Sequence, residues 1–227
     1  LLLLVISTLT IIPYLGLTNF HTKGEPREAI VAVSMLQNDN WILPINNGGD
    51  IAYKPPFFHW CIAALSLPAG EVTEFTSRLP SALAAIIMAI ACFLFFAKRS
   101  RNDIAFLASL LLLSGFEVHR AAMASRVDMV LTCFIVLAML QLYRWWELGL
   151  KGIPIWAILC MSIATLTKGP VGIVLPCAVI GIFLLFQKVS VWKAFYKIIP
   201  IALLSCILPL LWYYAAYQQG GEAFLRL

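Results

Sequence analysis

The chain has 227 residues, of which 62% are hydrophobic and 12% are charged, and its formal net charge is +5. Its mean hydropathy is +0.91. Soluble domains carry about 25% charged residues. This chain has half the usual share of charged residues and an excess of apolar ones. Together these figures exclude a water-soluble domain, a disordered chain and a disulfide-rich secreted scaffold. The composition is that of an integral membrane protein.

Seven continuous apolar runs predict helices that span a membrane. A span needs about 20 residues, and two of the runs are shorter but adjoin polar residues whose flanking turns would extend them. In chain order the runs cover residues 1–17, 79–97, 104–116, 127–146, 153–166, 171–186 and 198–217. We therefore predict an all-α fold, a polytopic transmembrane bundle of about seven spans.

The first loop between spans, about residues 19–76, is long and contains two predicted helices. Residues 25–37 form an amphipathic pattern with Pro26 in the first turn, where its missing N–H is tolerated. A second apolar stretch covers residues 57–67 and follows Lys54 and two prolines. We expect both helices to lie at the membrane surface. The plainer alternative is that they are connectors whose charges are solvated.

The positions of the basic residues predict how the bundle is oriented in the membrane. Lys98, Arg99 and Arg101 lie in one short loop, and short loops rich in Lys and Arg are normally cytoplasmic. This places the long first loop on the outside of the membrane. The basic short loops also account for the net charge, so we expect no binding to nucleic acid.

Charged residues recur at the outer ends of the predicted spans. Arg78 begins the second span, Asp128 lies in the apolar start of the fourth, and Lys168 separates the fifth from the sixth. Ionisable residues among transmembrane helices are costly and usually face a cavity or a partner. Asp128 is therefore either in a structural ion pair with Arg126 or Arg120, or a carboxylate that lines an outward-facing polar cavity.

Five short motifs follow one another along the chain. They are Gly24-Glu25-Pro26-Arg27-Glu28-Ala29, Tyr53-Lys54-Pro55-Pro56, Ser77-Arg78-Leu79-Pro80-Ser81, Arg126-Val127-Asp128-Met129 and Thr167-Lys168-Gly169-Pro170. In this order they resemble the GT-C glycosyltransferases, and most closely the branch of aminoarabinose (lipid A) and protein O-mannosyl transferases. The resemblance runs from about residue 19 to residue 170.

The resemblance implies a membrane enzyme. Members move a sugar, aminoarabinose- or mannose-like, from a polyprenyl-phosphate carrier to a lipid A, glycan or protein acceptor at the outer face of the membrane. This implies a bacterial inner membrane and a site that faces the periplasm. Members are also more than twice as long, and the chain has no initiating Met. We therefore expect residues 1–227 to be the amino-terminal catalytic region of a longer protein, without its carboxy-terminal spans and soluble domain.

A lipid-phosphate donor would present an anion near the membrane surface. Lys54 and Lys168 are expected to meet this phosphate and to stabilise the charge that develops as it leaves. Arg27 and Arg78 are also candidates, because a guanidinium binds a phosphate or orients a carboxylate in a bidentate manner. Arg78 could equally anchor a helix start to lipid headgroups.

The acceptor group needs a general base in an inverting transfer. Glu25 is the first choice for this catalytic role, and Asp128 is the second. Two positions depart from the family pattern, since Gly24 replaces the first acid of a common Asp-Glu pair, and Tyr53 replaces a Glu that binds a metal in some aminoarabinose transferases. No His or Cys has the spacing of metal ligands. We expect neither a metal nor a cofactor.

Two other functions also fit the pattern. A transporter or flippase of lipid-linked sugars would need the same polar cavity, interfacial basic residues and many spans. Transporters, however, usually show internal repeats with broken helices at mid-membrane, and no such repeat is evident. The third possibility is a membrane scaffold whose outer-loop charges bind partners.

Overall fold

The computed structural model describes residues 1–46, 49–52 and 54–225, and most of these residues lie in helices. Within them there is no strand, and a single antiparallel bridge joins Ile45 to Ile51. The helices are α1 (Leu2–Ile11), α2 (Gly24–Asn38), α3 (Phe57–Ser66), α4 (Glu74–Ala97), α5 (Asn102–Ser114), α6 (Phe116–Ala122), α7 (Val127–Glu147), α8 (Ile155–Lys168), α9 (Val171–Phe186) and α10 (Val191–Leu225). The prediction of an all-α fold is confirmed.

Helix length decides how many crossings the described residues make. Three helices, α4, α7 and α10, are long and apolar enough to span a membrane, and the pair α5 and α6 makes a fourth if it is one broken span. The other apolar helices have 10–17 residues. Every predicted apolar run is mainly helical, but length and composition alone support three or four full crossings rather than seven.

The break between α5 and α6 differs from the continuous run predicted over residues 104–116. The two helices are bent by 67°, and the bend falls at Gly115, whose N–H still reaches the carbonyl of Leu111. A side chain at this glycine would begin 3.2 Å from the carbonyl oxygen of Leu112. Because a continuous apolar composition suits a bent pair as well as a straight helix, the sequence pattern does not reveal the break.

The bundle core is built where small residues let helices approach closely. Ala82, Ala85 and Ala89 recur along one face of α4 and are completely buried, and this helix packs against α3, α5 and α7. Gly172 at the start of α9 lies directly against the backbone of α8. A second core cluster joins the carboxy-terminal half of α7 to α8, α9 and α10.

The first loop folds largely as predicted. The helix expected over residues 25–37 is α2, with Pro26 in its first turn, and its end is marked by Asp39 in a left-handed conformation (φ 47°). Its buried face carries Glu25 and Glu28 one turn apart, beside Val31 and Met35. This face packs against α3 and α4, so the fold itself buries two carboxylates.

The polar groups gather at the two ends of the bundle. At one end the starts of α4 and α7 meet, and the Ser81 hydroxyl donates to the carbonyl of Arg126 (3.1 Å). The long first loop and the end of α8 lie at this same end. At the opposite end, Arg99 pairs with Glu147 at the end of α7. The candidate site residues all lie at the first end.

Candidate functional site

Glu25 lies in a buried ion pair. Its carboxylate accepts hydrogen bonds from Nε of Arg78 (3.0 Å) and from the backbone N–H of Ser125 (3.1 Å) on one oxygen. The other oxygen accepts from the N–H groups of His21 (2.8 Å) and Thr22 (3.3 Å). Glu25 is only 2% exposed. Both oxygens are therefore engaged by protein donors.

The charge state of Glu25 follows from this environment. Burial alone would raise its pKa, but the hydrogen bonds from Arg78 and from the backbone N–H groups of Ser125 and His21 outweigh burial. The pKa of Glu25 is therefore lowered below its ordinary value. A carboxylate held in the ionised form by four donors is a weak proton acceptor.

Arg78 ties three parts of the chain together. Besides Glu25, its guanidinium donates to the carbonyl oxygens of Leu15 (2.7 Å), Thr18 (2.8 Å) and Asn19 (2.9 Å). The residue is 1% exposed. All three guanidinium nitrogens thus meet protein acceptors, and Arg78 anchors the start of α4 to the segment that follows α1.

A second buried carboxylate, Glu28, links α2 to Lys54 in the first loop and to His59 in α3. It pairs with the ammonium group of Lys54 through one oxygen, and its other oxygen lies 2.7 Å from Nε2 of His59. Burial alone would raise the pKa of Glu28, but His59 and then Lys54 outweigh burial, so the net pKa lies below the ordinary value. Nδ1 of His59 is buried, and no residue that the structure describes bonds to it.

Asp128 differs from both of these carboxylates because its side chain is only half-buried. One of its oxygens accepts from Nζ of Lys168 (2.6 Å), and the other lies 3.4 Å from Nε of Arg126. The Asp128 side chain keeps 41% of its surface exposed and that of Lys168 keeps 50%. Lys54 is close enough to Asp128 to interact with it electrostatically. The structure therefore gives Asp128 an ion pair with Arg126, while Arg120 instead pairs with Glu117.

Arg27 completes the set of predicted residues. It is exposed, and it borders a small cavity between α2 and α3 together with Glu28, Lys54 and His59. Among the described residues, no group of three or more His, Cys, Asp or Glu side chains could hold a metal ion. Tyr53, which stands at the position of a possible metal ligand, lies outside the described residues.

Two residues that the sequence interpretation does not select belong to this region. Local pattern alone favours a solvated loop charge at Glu28, and His59 lacks the spacing of a metal ligand. Signals for both are nevertheless present, since Glu28 follows Glu25 by one helical turn, and His59 interrupts an apolar run. Neither signal identifies the partner, because the contact between Glu28 and His59 joins positions 31 residues apart.

The fold is that of ArnT, a protein of known structure. The crystal structure of ArnT from Cupriavidus metallidurans in the apo state matches with a TM-score of 0.84 and 20% identity, over 98% of this chain and 42% of that chain. The structure of the same protein bound to undecaprenyl phosphate matches with a TM-score of 0.81 and the same coverage. The architecture is thus the GT-C fold.

Sequence comparison identifies the family. The family model described as dolichyl-phosphate-mannose-protein mannosyltransferase matches residues 53–213, and the chain belongs to this family. An uncharacterized protein of Aquifex aeolicus is 30% identical over 100% of this chain and 45% of its own length. An undecaprenyl phosphate-alpha-4-amino-4-deoxy-L-arabinose arabinosyl transferase of Shewanella sediminis is 29% identical over 77% of this chain and 32% of its own length. The chain spans less than half the length of these relatives.

Proposed function

We propose that the protein is a membrane glycosyltransferase that takes its sugar from a polyprenyl-phosphate carrier. The proposal is supported by the family, by relatives named as undecaprenyl-phosphate aminoarabinose transferases, and by the similarity to ArnT, which has been crystallised with undecaprenyl phosphate bound. The chain would form the amino-terminal region of a longer enzyme. The acceptor would be lipid A, another glycan or a protein.

The partly exposed cluster of Asp128, Lys168 and Arg126 is the observation that carries this proposal. It joins the start of α7 to the end of α8, and it combines one carboxylate with two cations that remain open to solvent. Lys54 adds a third positive charge within electrostatic range. A phosphate of the lipid carrier would meet preorganised positive charge here, which stabilises the departing anion.

The transfer step would be a single displacement with inversion. The acceptor hydroxyl or amine attacks the anomeric carbon, the bond from this carbon to the phosphate oxygen breaks, and the bonding electrons leave with the polyprenyl phosphate. The acceptor proton passes to a carboxylate. Asp128 fits the role of this base better than Glu25, because Asp128 is only half-buried whereas both oxygens of Glu25 accept buried hydrogen bonds. Lys168 and Lys54 would hold the phosphate.

Under this proposal Glu25 and Arg78 act as positioning residues. Their ion pair fixes the first loop against α4, and Glu28 fixes Lys54 in the same loop. Arg27, on the exposed side of α2, stays a candidate for binding the phosphate. We place the site at the periplasmic face of a bacterial inner membrane, on the basis of the basic loops at the opposite end.

Transfer of labelled sugar tests the proposal. The full-length protein would be expressed in membranes supplied with a radiolabelled polyprenyl-phosphate sugar, and label would be followed from carrier to the lipid, glycan and protein fractions. Loss of a general base typically lowers the rate by about 10²–10⁴-fold, so we expect Asp128→Asn to lose transfer to this extent. Lys168→Ala should also lose transfer while expression stays normal.

The matched control is Asp103→Asn. Asp103 is an exposed aspartate near the start of a helix and is paired with Arg101, but it lies at the opposite end of the bundle. This variant should transfer at the rate of the wild type. Undiminished transfer by Asp128→Asn would refute the assignment of the base. Movement of carrier across the bilayer without any transfer would replace the proposed activity with that of a flippase.

A further inference from the structure

A basic surface lies at the end of the bundle opposite the proposed site. Arg78 lies near the start of α4, and Arg99 lies just beyond its end, 21 residues later. This separation corresponds to roughly 30 Å at the rise of an α-helix. Lys98, Arg99 and Arg144 all lie at this second end. The distance is about the thickness of the hydrocarbon core of a bilayer, so this surface is remote from the transfer chemistry.

The surface borders an apolar cavity of about 470 Å³ between α4, α7 and α9. It is large enough for a substantial ligand, since pockets for small molecules usually measure about 300–1,000 Å³. Its walls are mostly aromatic and aliphatic, and they include Phe95, Phe96, Met139, Tyr143, Val179 and Phe183. Two of the three helices are long and apolar enough to span a membrane. The cavity therefore lies beside helices of membrane-spanning length, near the end of the bundle that carries Lys98, Arg99 and Arg144.

A second cavity, of about 260 Å³, adjoins the first and has a different chemistry. Lys98, Arg99 and Arg144 line it. Phe95, Arg99 and Leu140 line both cavities. An apolar compartment and a basic compartment thus meet at one arginine, and this combination matches a molecule with a hydrocarbon tail and an anionic head.

Arg99 itself is held by the protein. Its Nε donates to Glu147 (2.9 Å), its Nη1 donates to the carbonyl of Phe95 (2.8 Å), and its guanidinium carbon lies 3.6 Å from the centre of the Phe95 ring. Lys98 and Arg144 are exposed, and no ion pair within 4 Å engages either of them in the described part of the chain, although Arg144 lies within electrostatic range of Glu147. These two side chains are therefore the ones available to an anion.

We infer that these adjoining cavities bind a phospholipid with an anionic headgroup. An acyl chain occupies the apolar cavity, and the headgroup phosphate lies between Lys98 and Arg144, whose charges it neutralises. A zwitterionic headgroup fits less well because it carries its own compensating cation. The inference is independent of the proposed transferase activity, since the lipid binds at the other end of α4 and takes no part in the reaction.

Quenching by brominated lipids tests the inference. The Trp146 ring lies 5.3 Å from that of Tyr143 and 4.9 Å from that of Phe183, so its indole reports on the apolar cavity. The full chain would be placed in nanodiscs with bromine on the acyl chains of either phosphatidylglycerol or phosphatidylcholine. The Trp146 signal is obtained by subtracting the spectrum of Trp146→Phe. We expect stronger quenching by the brominated phosphatidylglycerol.

Three double variants distinguish a site from diffuse attraction. Each basic residue near an anionic surface strengthens binding by about fivefold, so Lys98→Gln with Arg144→Gln should lower the preference for phosphatidylglycerol by roughly 30-fold. Lys188→Gln with Lys193→Gln removes the same charge without altering either cavity, and this variant should keep the preference.

Charge-conserving Lys98→Arg with Arg144→Lys should also keep the preference for phosphatidylglycerol, which separates loss of charge from loss of fold. Equal quenching of the wild type by the two lipids would overturn the inference. Equal loss of preference in both Gln variants would also overturn it, because the attraction would then belong to the whole basic surface.

Discussion

Replacing Glu25 by Gln separates a structural role of this residue from a catalytic one. The substitution keeps the size of the side chain and removes its charge. In the wild type the carboxylate accepts from Arg78, Ser125, His21 and Thr22. An amide has one oxygen and one NH2 group. Whichever way it is oriented, the NH2 group faces two donors that lose their acceptor.

The size of the effect follows from the burial of the pair. Removing one partner of a buried ion pair costs about 3–5 kcal/mol. Arg78 keeps three backbone carbonyl acceptors, so we expect a loss of stability near the lower limit, about 3 kcal/mol. For a chain of this size 1 kcal/mol lowers the melting temperature by roughly 2–4 °C. The expected fall in Tm is therefore about 6–12 °C.

The assay is thermal unfolding of the purified protein in detergent, measured beside sugar transfer at a temperature where the variant stays folded. Asp103→Asn is the control, because its pair with Arg101 is exposed and screened by solvent, so the melting temperature should stay at the wild-type value. A Glu25→Gln variant with an unchanged Tm and abolished transfer would refute the positioning role. It would make Glu25 the base, which is the first choice from the sequence.

Three further predictions concern stability. The two buried glutamates of α2 have lowered pKa values, so the stability they provide is present above the ordinary value of 4.5 and is lost as the pH falls through the folded-state pKa. A series of Tm measurements from pH 7 to pH 3 should show this loss only in the acid part. Gly172→Ala should cost about 1–3 kcal/mol, because its Cβ would lie 2.4 Å from the backbone of α8, whereas the control Gly181→Ala meets only an ordinary contact at 3.5 Å. Gly24→Asp should stabilise the fold by roughly 0.5–1 kcal/mol, since the new carboxylate would face Arg126 from the first turn of α2; an equal gain from Gly24→Asn in unfolding measurements would contradict the role of charge.

Local sequence signals are sufficient to predict the helices. The apolar run at residues 127–146 forms α7, Val127–Glu147, because a mostly apolar segment of this length in lipid satisfies its backbone hydrogen bonds within itself by forming a helix. The limits of α2 follow from Pro26 and from the polar residues that end it. The bend at Gly115 cannot be predicted in this way, because a glycine in an apolar run does not indicate whether the helix bends or in which direction.

The partners in the site cannot be predicted from local pattern. Arg78, Asp128 and Lys168 are candidates because each is a charged residue at the end of an apolar segment. Glu25 is a candidate because it belongs to the motif of the first loop. Their pairing depends on packing between helices, since 53 residues separate Arg78 from Glu25 and 40 separate Lys168 from Asp128. Burial is equally non-local. The sequence ranks Glu25 above Asp128 as the base, and only the exposure of the two carboxylates reverses this order in our proposal.

The glycine at position 24, where the related family commonly has an acid, affects the net charge around Asp128. Arg126 and Lys168 both lie beside this one carboxylate, so the cluster carries one positive charge in excess. The Cα of Gly24 faces Arg126, because a side chain added there would begin 3.2 Å from its Nη1. An acid at that position would cancel the excess charge, whereas glycine leaves it available to an anion. A phosphate that binds at the exposed end of α7 would restore neutrality and would leave Asp128 free to accept a proton as the sugar is transferred.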